Sequence, residues 1–101
     1  MDRPILTDVS ATVDANRESE LVAAFQALVA GPVPDGLLRT SLLRGADGRW
    51  RIQTLWRNRD ALDAMRAASE PPAAPRLFRR VGADPSLQVY EVTVEHSFAQ
   101  E

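Results

Sequence analysis

Apolar and polar positions alternate at the start of the chain. In "ILTDVSATV", Ile5 to Val13, the residues Ile5, Thr7, Val9, Ala11 and Val13 share one face, and Leu6, Asp8, Ser10 and Thr12 share the other. That two-residue period predicts a strand with one apolar face. The spacing then turns helical: Leu21, Val22, Phe25, Leu28 and Val29 recur until Gly31 and Pro32 break it, with Asn16 offered as N-cap and Glu18 and Glu20 suited to a helix start. Two β-prone runs follow, "LLRTSLL" from Leu37 and "RWRIQTLWR" from Arg49, and they flank "RGADG". Asp47-Gly48 supplies the left-handed backbone that a tight hairpin needs. On the second run Trp50, Ile52, Thr54 and Trp56 face one way and Arg51, Gln53, Leu55 and Arg57 the other.

Asn58 can cap the next helix, with Asp60 in its first turn and Ala61, Leu62 and Met65 as a narrow apolar stripe that must stop before "EPPAAP". Leu77, Phe78 and Val81 then suggest a short helical turn. A last strand, "LQVYEVTVEH", is expected to put Gln88, Tyr90, Val92 and Val94 on one face. The order β, α, β, β, α, β predicts an α+β, ferredoxin-like domain: a four-stranded antiparallel sheet with two helices on one side. The opposite sheet face would carry Asp8, Ser10, Arg39, Ser41, Arg51, Gln53, Glu91 and Glu95 among Leu6, Leu43 and Leu55. Such a face is either solvated or covered by a second sheet, and the pattern alone leaves both open.

Composition narrows the chemistry. The 101 residues, 45% hydrophobic and 26% charged, suit one domain spanning 1–101 with a single modest core. The apolar runs are too short for a membrane span and "MDRPILTD" lacks a signal-peptide pattern, so a cytoplasmic location is expected. A net charge of −2 gives no general drive toward nucleic acid or anionic lipid. The aromatics needed to stack bases on an open sheet are also missing, because Trp50, Trp56 and Tyr90 are expected on the helix-facing side. All twelve basic residues are arginine and there is no cysteine, which removes Schiff-base and thiol chemistry. The single histidine, His96, falls at the end of the last strand, and no serine sits in a "GxSxG" setting. No metal site is expected.

The run "ESELVAAFQALV" leading into "PDGLLRTSLLRGADGRWRIQTLWRNRDALDAMRAAS" resembles the antibiotic biosynthesis monooxygenase domain. That family's signature is a "p-G-f" entering the second strand and a "t-x-W-x-s-x-e-a" at the end of the third. Gly36-Leu37, Thr54-Leu55-Trp56 and Asp60-Ala61-Leu62 match it, and the resemblance extends from about Ile5 to Val94. It implies a dimeric α/β barrel, a homodimer closed through the open sheet faces. It does not transfer an activity, since the fold hosts cofactor-free oxygenases, haem-degrading enzymes, isomerases and proteins with no known reaction.

Aligned through Phe25 and Trp56, the functional asparagine, tryptophan and histidine of the haem-degrading branch fall on Val9, Met65 and Pro75, none of which can hydrogen-bond or ligate as required. The aromatic-polyketide oxygenase branch, which works without metal or flavin, keeps its tryptophan as Trp56, but its polar partners fall on Ile52 and Leu62. The substrate-pocket candidates are therefore Trp56, Met65, Phe25, Phe78, Thr7, Thr54, Tyr90 and Arg66. Arg76 or Arg79 would join them if the segment after the second helix folded inward. Trp56, Phe25, Met65 and Phe78 read as core first and pocket wall second, and no catalytic residue is assigned. Two functions stay open: a cofactor-independent monooxygenase acting on a small aromatic, polyketide or quinol-like metabolite, or a non-catalytic dimeric barrel that binds a small ligand. One observation separates them: an enclosed cavity of roughly 300 Å³ or more beside Trp56 with at least two convergent polar groups is the usual form of a ligand site, and a filled interior there would exclude the enzyme.

Overall fold

The computed structural model describes residues 3–68 and 72–98. Its elements run β1 (Ile5–Thr12), a 3₁₀ turn (Ala15–Arg17), α1 (Glu18–Ala30), β2 (Leu37–Arg44), β3 (Arg49–Trp56), α2 (Arg59–Ala67), α3 (Ala73–Arg80) and β4 (Ser86–Glu91). The strands form one antiparallel sheet in the order β2-β3-β1-β4, the ferredoxin-like arrangement.

The predicted face of β1 is the buried one. Val9, Ala11 and Val13 meet Trp50 and Ile52 from β3, Leu21 and Ala24 from α1, and Leu77 and Phe78 from α3 in the main core. Ile5, Trp56, Ala61 and Leu62 form a second cluster at the α2 end. Trp50 is locked into the first cluster from its edge: its indole N–H donates to Glu18 at 2.9 Å, while the Arg44 guanidinium lies over the ring.

Local chemistry explains the turns. Asp47 and Gly48 both take positive φ in the β2–β3 hairpin. Asn58 caps α2, its side-chain oxygen accepting from the Ala61 N–H at 2.9 Å. Gly36 has φ +86°, and a Cβ built there would stand 2.5 Å from the Ala61 Cβ. Only glycine satisfies both conditions, so this glycine lets the chain entering β2 lie against α2.

Three expectations are corrected. Asn16 does not cap α1; it lies inside the 3₁₀ turn, and α1 starts after Arg17 without a side-chain cap. Arg17 instead ties the helix start to α3, binding Glu20 at 2.9 Å and donating to the Arg80 carbonyl at 3.0 Å. The hydrogen bond from Arg17 holds the Glu20 carboxyl below its ordinary range. Its small stabilising contribution is thus present above the unfolded carboxyl value and lost as pH falls through the folded one. Second, the short turn at Leu77 is a full helix beginning at Ala73. Pro75 is accommodated because first-turn N–H groups have no intrahelical partner to lose. Glu70 and Pro71, within the predicted helix stop, lie outside the described residues.

The third correction concerns β4. Tyr90 pairs with Leu6 and Gln88 with Asp8, so both lie on the open face, while Leu87 and Val89 share the face of Val9 and Thr7. Glu91, expected on the open face, pairs with Ile5 instead, and Glu95 follows the end of the strand. A one-residue change of phase moves every side chain of a strand to the other side. The open face is partly self-paired, with the buried Asp8 carboxylate held by Arg51 at 3.1 Å and by the Gln53 amide at 3.2 Å. Leu43 and Tyr90 on the same face remain 40% and 49% exposed.

Candidate functional site

A cavity of about 120 Å³ lies between the sheet and the helices. The sheet supplies its floor through Thr7 and Val9 of β1, Thr40 of β2, Ile52, Thr54 and Trp56 of β3, and Leu87 of β4. α1 contributes Phe25, Leu28 and Val29; α2 contributes Leu62, Met65 and Arg66; and the start of α3 contributes Ala73, Ala74 and Pro75. Pro32, Val33 and Pro34, between α1 and β2, complete the wall. Val29, Val33, Arg66 and Leu87 are solvent-exposed as well as lining, which marks the rim.

The polar groups are concentrated on the floor. The Trp56 indole N–H donates to the Thr7 hydroxyl at 3.2 Å, and that hydroxyl donates to the Thr54 carbonyl at 3.4 Å. The hydroxyls of Thr40 and Thr54 lie 2.9 Å apart. Register explains the row, since Thr54 is the cross-strand partner of Thr7 on one side and of Thr40 on the other. Trp56 is 4% exposed, so its ring forms wall and core together and its N–H needs the partner that Thr7 provides.

Of the eight pocket residues expected from the sequence, Trp56, Met65, Phe25, Thr7, Thr54 and Arg66 come together around this cavity. Phe78 does not: it is fully buried in the main core with Leu21 and Trp50. Tyr90 does not either, because the phase of β4 turns it to the opposite sheet face. Arg76 and Arg79 stay on the surface, and the segment after α2 sends Ala73, Ala74 and Pro75 inward instead. His96 lies five residues past the end of β4, exposed and stacked on Phe98 at 4.5 Å. Thr40 was missed, although threonines at matching positions on adjacent strands of a hairpin are visible in the sequence.

The volume is below the expected 300 Å³, and Leu28, Ile52 and Leu62 are among the apolar side chains that bound it. It approaches the roughly 150 Å³ that accommodates a benzene ring in an apolar protein interior. Val9, Met65 and Pro75, and Ile52, Trp56 and Leu62, the two sets of positions that the resemblance implied, all line it. Among the described residues no group of three or more histidine, aspartate or glutamate side chains is placed to hold a metal ion, and no helix is long and apolar enough to cross a membrane.

Fold and cavity together define a ferredoxin-like α+β domain with a small apolar chamber between sheet and helices, floored by hydroxyls. The chain belongs to the antibiotic biosynthesis monooxygenase family, whose model matches residues 4–73. It is similar to a Deinococcus radiodurans protein designated a candidate antibiotic biosynthesis monooxygenase, with TM-score 0.74 and 16% identity over 95% of this chain and 99% of that one. SnoaB, a cofactor-independent oxygenase from Streptomyces nogalater, superposes with TM-score 0.68 and 17% identity over 97% of this chain and 99% of that one. The heme-degrading protein Rv3592 of Mycobacterium tuberculosis gives TM-score 0.69 and 26% identity over 97% and 100%. No curated protein matches the sequence.

Proposed function

We propose that the protein is a cofactor-independent monooxygenase that oxidises a small aromatic or quinol-like metabolite held beside Trp56. The observation that carries this reading is an apolar chamber beside Trp56, floored by the Thr7, Thr40 and Thr54 hydroxyls, in a chain of this family. The substrate supplies the electrons. Loss of a proton from an activated ring methylene gives a carbanion, which passes one electron to O₂. The two radicals combine to a hydroperoxide, and loss of water leaves a carbonyl, so that R₂CH₂ and O₂ become R₂C=O and H₂O. The chain's part is to orient the ring between Trp56 and Met65, exclude water and stabilise the oxyanion. Arg66 lines the chamber at its rim, and a guanidinium there suits a phenolate that protrudes. The room is just under that of a benzene-sized cavity, so any further ring extends past the rim.

The second reading, a ligand-binding barrel without turnover, is favoured by Ile52 and Leu62. Both are buried apolar residues where the oxygenase branch carries polar ones. Incubation with ¹⁸O₂ and anthrone or monocyclic quinol test compounds separates the two. Label in the product carbonyl above the uncatalysed background supports the oxygenase; binding without label leaves the barrel reading in its place.

We also place the protein in a homodimer formed through the open sheet faces. Family membership supports this, as do the exposed Leu43 and Tyr90 on that face and the exposed Val94 and Phe98 beyond β4.

A further inference from the structure

The floor of the chamber holds one more hydrogen-bond donor than the protein uses. Each threonine hydroxyl has a single proton. The Thr7 hydroxyl is engaged at both ends, accepting from Trp56 and donating to the Thr54 carbonyl. Thr40 and Thr54 share one hydrogen bond between their hydroxyls, so whichever oxygen accepts it keeps a proton of its own. Neither hydroxyl has another bond among the described residues. Thr54 is 6% exposed, Thr40 is half-buried, and both residues line the cavity. A buried donor without an acceptor costs more than an acceptor with an unused lone pair. On the buried Thr54 hydroxyl the spare proton therefore calls for an acceptor atom inside the chamber.

We propose that the Thr40–Thr54 hydroxyl pair is a specificity element that receives an acceptor oxygen of the ligand, a ketone or quinone carbonyl or a phenolate. The ring itself would sit against Trp56 and Met65. This rests on the reading of the chamber as the ligand site and adds an orientation to it: the ring oxygen points to the β2–β3 side of the floor, away from the Thr7–Trp56 bond. It selects oxygenated rings over hydrocarbons of the same shape, whether or not the ligand is turned over.

Acetophenone and cumene each carry a three-heavy-atom substituent on one ring, planar in the ketone and tetrahedral in cumene, so the change in the ratio of their dissociation constants between wild type and variant, in which the shape difference cancels, isolates the acceptor oxygen. In Thr40→Val/Thr54→Val the preference for acetophenone is expected to fall about five- to tenfold relative to wild type, the range of one neutral hydrogen bond. Cumene is expected to bind that variant as it binds wild type, which reports that the variant is folded. Thr40→Ser/Thr54→Ser restores the hydroxyls and is expected to keep the wild-type ratio within about twofold. An unchanged ratio in the valine variant, or an equal fall in the serine variant, overturns the proposal. If neither compound binds wild type, the chamber is not a ligand site and both the proposal and the reading beneath it fail.

Discussion

Replacing Trp56 with alanine is expected to remove about 3–5 kcal/mol of folding free energy, the usual loss when a buried aromatic is truncated in a packed core. The ring is 4% exposed and joins β1, β3 and α2 through Ile5, Ala61 and Leu62. Its removal enlarges an existing cavity and leaves the Thr7 hydroxyl without the indole donor it accepts from. Because a domain of this size has a total stability of about 5–15 kcal/mol, the melting temperature should fall by tens of degrees. Trp56→Phe keeps an aromatic wall and loses the N–H, so a smaller cost of about 1–2 kcal/mol is expected from the bond to Thr7 and the lost ring area. Urea unfolding of the three proteins measures both differences. A loss below about 1 kcal/mol for alanine would contradict the packing role.

The oligomeric state carries the second large effect. Light scattering at micromolar concentration is expected to give twice the mass of one chain. Leu43→Glu combined with Tyr90→Glu should return it to one, because acidic groups facing each other across an apolar contact suffer both desolvation and like-charge repulsion. Leu43 and Tyr90 lie on different edge strands of the same face, β2 and β4, so the double change spans the sheet. Neither residue lines the chamber, and unfolding of the variant should remain cooperative. A wild-type monomer would contradict the covering of the open face by a second sheet.

How much of this was legible in the sequence depended on whether one face of each element dominated. β1 declared itself, because Ile5, Val9, Ala11 and Val13 are apolar on one side and Asp8, Ser10 and Thr12 polar on the other. The hairpin at Asp47-Gly48 and the cap at Asn58 were equally plain, since backbone chemistry restricts those positions. β4 was not. Leu87 and Val89 argue for one phase and Tyr90, Val92 and Val94 for the other, and the strand ends at Glu91, so the residues that tipped the choice lie outside it. The prolines before Leu77 read as breakers, while Pro75 occupies a first helical turn where it costs little.

The chamber was legible in part for the same reason. Phe25, Thr7, Thr54, Trp56, Met65 and Arg66 could be gathered from strand faces, helix stripes and the family pattern. Pro32, Val33 and Pro34 could not, because no periodicity says that a connection between elements will fold over a pocket. The size of the chamber depends on how Ile52, Leu62 and Leu28 interlock, which sequence spacing does not encode. Thr40 needed only the register: once Thr54 is placed on β3, the hairpin brings Thr40 beside it.

The chamber beside Trp56 is proposed as the place where this protein meets its ligand. The chain has only two methionines, Met1 and Met65, and Met65 lines the chamber. Protein labelled with ¹³C at the methionine methyl groups therefore gives two signals, one of them from inside the site. On titration with phenol or acetophenone, the Met65 methyl signal is expected to shift through the ring current of the bound aromatic, together with the indole N–H signal of Trp56. A Met65 signal that stays fixed up to the solubility limit of both compounds would contradict a ligand site in this chamber.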